Sequence, residues 1–230
     1  MILEHAPVPA LRPSEYTAAL IRVLQSNAGR IKGASVLDVG SGSGIVLATL
    51  AALGAASLCG VDIEPAAVDV GVRLMTELGH GGRSEFHHGD MWQPLDRRRF
   101  DLIAANLPHF PMPPAEVAGR LPTWSAGGAD GRVLLDRFLN GLPQHLASGG
   151  RAVITHNGFV GIEQTREILK SLGLALNVAS TQLIYIPDEK IDLMTDSVLL
   201  AESGRSIHRY GPYTFAEMHI VEIGAPGTVG

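Results

Sequence analysis

The chain of 230 residues has a single cysteine, Cys59, so it cannot form an internal disulfide, and a reducing, cytoplasmic setting is expected. Excess positive charge is also missing: 18 Lys and Arg stand against 23 Asp and Glu, a net charge of −5. That balance offers no electrostatic footprint for nucleic acid. The basic cluster Arg97-Arg98-Arg99 precedes a predicted strand and reads as a solvated edge. No basic leader followed by an apolar core opens the sequence, so no signal peptide is expected. The uncharged run from Gly44 to Val61 is broken by Gly54 and closed by Asp62. It reads as a buried helix, a turn and a buried strand, and no membrane partner is expected. Repeats, low-complexity segments and linkers are absent, so residues 1–230 are expected to form one domain.

What is present is a regular alternation. Hydrophobic residues make up 46 % of the chain and charged ones 18 %, which suits an ordered globule. Residues 12–28 read as an amphipathic N-terminal helix, a candidate lid, with Tyr16, Leu20, Val23 and Leu24 on one side. Strands are predicted at 35–39, 57–62, 84–88, 100–105, 150–155, 174–184 and 215–223, and helices at 44–53, 65–78, 130–147 and 161–171. Strands separated by helices imply right-handed crossovers. The expected fold is α/β: a Rossmann-like, doubly wound, mostly parallel seven-stranded sheet with an antiparallel last strand and an N-terminal helical extension. Residues 35–155 form its core, and 186–214 read as an irregular, substrate-side segment.

"VLDVGSGSGIVLATLA" (36–51) is the strongest local signal, Asp38-x-Gly40-x-Gly42-x-Gly44 between a strand and a helix. Such glycines let a ligand approach the backbone at a helix N-terminus. The Gly-x-Gly-x-x-Gly spacing of nicotinamide-cofactor loops fails, and no Gly-Lys-Ser/Thr phosphate loop occurs. Asp62, ending the second strand, can accept both hydroxyls of a ribose. Asp90 can receive an adenine amine, and Met91 can pack on the ring. In this order the residues resemble the class I S-adenosylmethionine-dependent methyltransferases over residues 12–155. The resemblance implies S-adenosylmethionine as cofactor, with Asp38, Gly40, Ser41, Gly42 and Gly44 around its methionine portion. Asp62 and Ile63 then lie at the ribose, and Asp90 with Met91 at adenine.

"NLPH" (Asn106-Leu107-Pro108-His109) follows the fourth strand and resembles the Asn-Pro-Pro-Tyr signature of methyltransferases that act on planar amide or amino nitrogens, the release-factor glutamine enzymes among them. "LRPSEYT" (11–17) and "GGADG" (127–131) are similar to two further stretches of that family. The Asn106 oxygen and the Leu107 carbonyl can each accept one N–H of an amide and free its lone pair, in a turn stiffened by Pro108. Asn106 and His109 are the candidate catalytic residues, Asn106 also touching the cofactor. His109, with a pKa near neutrality, is a candidate base. Tyr16, Leu107, Pro108, His156 and Tyr185 are the candidate substrate contacts, with Asn157, Tyr210 and Tyr213 beside them.

Departures from the family pattern shape the expected substrate. Leu107 replaces the first proline, His109 replaces the stacking aromatic residue, and only a short segment precedes Arg12, where those enzymes carry a recognition domain. A small-molecule acceptor, methylated on nitrogen or less readily on oxygen, is therefore expected. One alternative is an intramolecular cyclase that converts the cofactor to azetidine-2-carboxylate and methylthioadenosine. The other is a non-catalytic nucleoside-binding protein. A homodimer is compatible with the sequence. A metal at His87, His88 and Asp90 is not expected, because successive strand residues point to opposite faces.

Overall fold

The computed structural model describes residues 11–116 and 122–229. Within it the chain forms two compact units: one takes the described residues up to Asn106 together with Gly141–Ile154, the other takes the remainder.

The first unit is built on buried parallel strands. β1 (Ser35–Val39), β2 (Ser57–Asp62), β3 (Ser84–His88) and β4 (Phe100–Ala105) occupy the predicted spans, and β5 (Leu146–Asn157) starts earlier than predicted. Val36, Leu37 and Val39 are at most 1 % exposed although they alternate between the two faces of β1, as a central parallel strand covered on both sides requires. Leu37 is in register with Cys59 on one neighbour and Ile103 on the other. Three helices serve this unit: α1 (Glu15–Ser26), α2 (Ile45–Ala52) and α3 (Pro65–Glu77). α1 buries Leu20, Val23 and Leu24 and packs on α2. The uncharged run at 44–61 is α2 followed by β2, and no helix among the described residues is long and apolar enough to cross a membrane.

α4 (Val133–His145) and β5 pass from one unit to the other. The second unit adds α5 (Ile162–Ser171), β6 (Ala175–Ile186), α6 (Asp188–Ile191), α7 (Asp196–Glu202), β7 (Ile207–Tyr210) and β8 (Tyr213–Gly224). β8 runs antiparallel to both β6 and β7. The strand order is β3-β2-β1-β4-β5-β8-β6, with β7 on β8, so the fold is the expected Rossmann-like mixed sheet with antiparallel C-terminal strands and an N-terminal helix.

Two expectations need correction. Among the described residues the sheet has eight strands, not seven. Residues 186–214 are not irregular but contain α6, α7 and β7, whose hairpin closes at Tyr210 and Tyr213 over Gly211-Pro212. The Arg97-Arg98-Arg99 cluster is exposed, as expected of a solvated edge, and two of its members also have partners. Arg98 pairs with Glu85 of β3, and Arg99 donates to the carbonyls of Pro143 and Leu146 at 3.2 and 2.7 Å, satisfying the C-terminal end of α4.

The seating of α3 on the sheet depends on two missing side chains. A β-carbon at Gly60 of β2 would lie 2.6 Å from the Phe86 ring, and one at Gly71 of α3 would lie 2.3 Å from it. The ring therefore occupies space that only glycine leaves, and Gly71→Ala should destabilise the protein by about 1–3 kcal/mol through overpacking. Urea titration checks this, and Gly71→Ala combined with Phe86→Leu should regain part of the loss.

Candidate active site

The parallel strands of the first unit end together, and the chain leaves β1 and β4 in opposite lateral directions. Ligands of open α/β sheets bind at such a switch point. Gly40, Gly42 and Gly44 have φ of 72°, 51° and 78°, the left-handed region in which a β-carbon is strained. The N–H groups of Gly40 and Ser41 donate to the Val61 carbonyl at 2.8 and 3.1 Å, folding the loop over the end of β2, and Gly44 opens α2.

Two carboxylates lie beneath this loop. Asp62, 6 % exposed, accepts the Gly42 N–H on Oδ2 at 2.8 Å and the Glu64 N–H on Oδ1 at 2.9 Å. Burial nevertheless raises its pKa, because desolvation outweighs those two bonds. Asp38, 2 % exposed, is raised well above the usual carboxylate range by burial and by the charge of Asp62. Asp38 Oδ2 and Ser41 Oγ are buried without a hydrogen-bond partner. Orphaned acceptors beside uncompensated negative charge suit a ligand that brings donors and positive charge. The ammonium and sulfonium of S-adenosylmethionine supply both, so the residues fit that cofactor.

The other predicted cofactor contacts belong to the same unit. The end of β3 is tied to β2 by the Gly89 N–H on the Asp62 carbonyl at 2.9 Å. Met91 is buried and holds φ at 54°, a conformation that a non-glycine residue keeps only where its surroundings impose it. Ile63 is 58 % exposed and accepts His88 Nε2 at its carbonyl, at 3.0 Å. Asn106 follows β4, and its Nδ2 donates to Thr17 Oγ1 of α1 at 3.3 Å. Thr17 is a site-side residue that the sequence reading missed; Tyr16 beside it is half-buried.

Leu107, Pro108, His109 and His156 fall in the second unit. His109 is 4 % exposed, and burial, with Lys190 nearby, pushes its pKa down to about 4. The near-neutral value expected from sequence is corrected by that desolvation. Its ring bonds the Leu107 carbonyl, and its own carbonyl packs on Gly131, where a β-carbon would come within 2.6 Å. The "GGADG" stretch thus packs directly behind "NLPH", with Gly127 N–H on the Phe110 carbonyl at 2.7 Å. His156 is fully buried, pushed down to about 3 chiefly by burial, and bonds Thr165 Oγ1 at 2.9 Å. Thr165 also receives Nη1 of the buried Arg132 at 3.2 Å, a connection with no sequence signal. Tyr185 is 45 % exposed, edge-on to Tyr213 and Phe215 in an aromatic cluster with Tyr210. The structure does not bring it beside the other candidates.

Cys59, Glu85 and His87 bring ligand-type atoms within 4.8 Å of one another. The Arg98 guanidinium takes the position of a cation there, donating to Glu85 and lying 3.9 Å from Cys59 Sγ. Burial pushes the Cys59 thiol up to about 12, and Arg98 holds Glu85 below its usual value. His88 turns to Ile63 instead of sharing a site with His87.

A family model described as a methyltransferase domain matches residues 36–121. The chain belongs to the class I S-adenosylmethionine-dependent methyltransferases, with S-adenosylmethionine as its cofactor. It is 31 % identical over 183 residues to a putative protein N5-glutamine methyltransferase of Methanocaldococcus jannaschii, covering 79 % of this chain and 90 % of that protein. It is 32 % identical over 143 residues to the release factor glutamine methyltransferase of Geobacter sulfurreducens, where the match spans 59 % of this chain and about half (48 %) of the relative. Among solved structures, a putative RNA methyltransferase of Pyrococcus horikoshii superposes with a TM-score of 0.61 at 18 % identity, covering 97 % of this chain and 89 % of that one, a likeness of fold.

The resemblance places Asp62 at the cofactor's ribose, an expectation that a substitution tests. Asp62→Ala should weaken S-adenosylmethionine binding by about 2–4 kcal/mol. Calorimetry on both proteins measures this, and equal affinities would take Asp62 out of the site.

Proposed function

We propose that the protein methylates a planar amide nitrogen, the side-chain amide of a glutamine carried by a protein. The observation that carries this reading is the placing of Asn106: it follows β4 at the cofactor end of the first unit, with its Nδ2 turned to Thr17. In that orientation the amide's acceptor atom, Oδ1, is not the atom turned to Thr17. The Leu107 carbonyl, next in the chain, is bonded by the His109 ring and keeps a second lone pair. Two acceptors on one amide NH2 group pull the nitrogen towards a tetrahedral shape with a usable lone pair.

The cofactor supplies an activated methyl group, so the task of the chain is to position and desolvate the nucleophile. The nitrogen would take that methyl group and release one proton to water, and the chain's own part is to hold the nitrogen through the Asn106 and Leu107 acceptors. His109 is neutral across physiological pH, and its bond to the Leu107 carbonyl fits it for orienting that carbonyl.

A small-molecule acceptor was expected because little chain precedes Arg12. The M. jannaschii relative weakens that reasoning, since this chain covers 90 % of it and it is named as acting on protein glutamine. The similarity to a release factor glutamine methyltransferase supports the same acceptor class.

The test supplies S-adenosylmethionine with a labelled methyl group, together with a purified release factor, ribosomal protein uL3, free glutamine, or no acceptor. Label recovered as N5-methylglutamine in a protein arm is expected, and Asn106→Ala should lose about two to four orders of magnitude in turnover at a nearly unchanged Tm. Label on free glutamine but in neither protein would restore the small-molecule reading. Methylthioadenosine released without any acceptor would mark a cyclase, and no turnover in any arm would contradict the proposed acceptors.

A further inference from the structure

We infer that Thr17 is a positioning residue for Asn106: its hydroxyl selects which atom of the Asn106 amide is presented to the reacting nitrogen. The inference rests on the reading of Asn106 given above.

An asparagine amide keeps nearly the same shape after a half-turn about its terminal bond, yet the two orientations are chemically opposite. One presents a carbonyl acceptor, the other two N–H donors. Only the acceptor can take an N–H from an incoming amide, and a donor in its place would meet that N–H head-on. Efficient catalysis therefore needs the orientation chosen before the substrate arrives.

Thr17 Oγ1 makes that choice through the donors around it. It accepts the Ser14 backbone N–H at 3.3 Å and Asn106 Nδ2 at 3.3 Å, and Ser14 Oγ lies 3.5 Å away. The Ser14 N–H can only donate, so it occupies one lone pair of the hydroxyl. Asn106 Nδ2–H occupies the second, which leaves the hydroxyl hydrogen for Ser14 Oγ. Turning the Asn106 amide over would set Oδ1 against Thr17 Oγ1, and the hydroxyl hydrogen would have to leave Ser14 to keep two oxygens from facing each other. Thr17 is only 8 % exposed, so water is poorly placed to repair the mismatch.

The arrangement comes from helix capping. Ser14 and Thr17 form the reciprocal cap that starts α1, and the same hydroxyl reaches a residue 89 positions further along the chain. One side chain thus takes part both in starting α1 and in orienting the Asn106 amide.

Thr17→Val keeps the shape and removes both lone pairs, whereas Thr17→Ser keeps the hydroxyl. In nitrogen-15 NMR spectra the Asn106 side-chain NH2 pair, identified by its loss in Asn106→Asp, should shift in Thr17→Val and return towards the wild-type position in Thr17→Ser. On an acceptor that the wild-type protein methylates, Thr17→Val should lower kcat about tenfold with KM for S-adenosylmethionine unchanged. Thr17→Ser should recover most of that loss, and Thr17→Val should add nothing in an Asn106→Ala background. Asn106 resonances unmoved by Thr17→Val, or a wild-type kcat in that variant, would overturn the role of Thr17. Wild-type turnover by Asn106→Ala would overturn the reading of Asn106 instead, and the NMR comparison still decides whether the tether exists.

Discussion

Two carboxylates, Asp38 and Asp62, are buried within electrostatic reach of each other, and among the described residues no basic side chain is paired to either. Burying one acid without a counter-charge is costly, and burying two within electrostatic reach costs more. The fold tolerates them because β1 and β2 pack on apolar neighbours and because backbone N–H groups of the glycine loop and the β2–α3 turn hold Asp62. The cost is offset when a ligand carrying two positive groups arrives. The same loop that needs three left-handed glycines also gives a backbone donor to Asp62.

Orientation after β4 is controlled by similar means. Asn106 is held through its donor side by Thr17, and the Leu107 carbonyl is held by the buried ring of His109. Burial keeps His109 neutral, which preserves it as a hydrogen-bonding group and weakens it as a base. Behind "NLPH", the glycines of "GGADG" let the backbone at Gly131 touch the His109 carbonyl, which gives that stretch a packing reason independent of any ligand.

Much of this was legible in the sequence, and the rest was not, for definable reasons. β1, β2 and β4 could be bounded because each is a short, mostly apolar run ending at Gly, Asp or Asn, the signature of a strand covered on both faces. The mostly polar β3 was marked only by its place in the alternation and by Gly89 at its end. β7 could not be bounded, because Ile207-His208-Arg209-Tyr210 is mostly polar and is a strand only by pairing with β8 across Gly211-Pro212. Arg98 and Arg99 are exposed as read, but their partners, Glu85 and the end of α4, could not be named because they are distant in sequence. The burial of His109 was hidden for the same reason, since Gly131 and Lys190 approach it from far along the chain. Thr17 carried no signal, because a threonine three residues into a helix reads simply as part of a cap.

If the buried acid pair Asp38 and Asp62 receives the positive groups of S-adenosylmethionine, binding must release protons. Calorimetric titration of S-adenosylmethionine near pH 5.5, repeated in buffers of different ionisation enthalpy, counts the protons exchanged. Carboxyl groups held above their usual pKa in the free protein must lose protons when positive charge arrives, so net release is predicted, diminished in Asp38→Asn. Binding without proton exchange, or with proton uptake, would contradict the account.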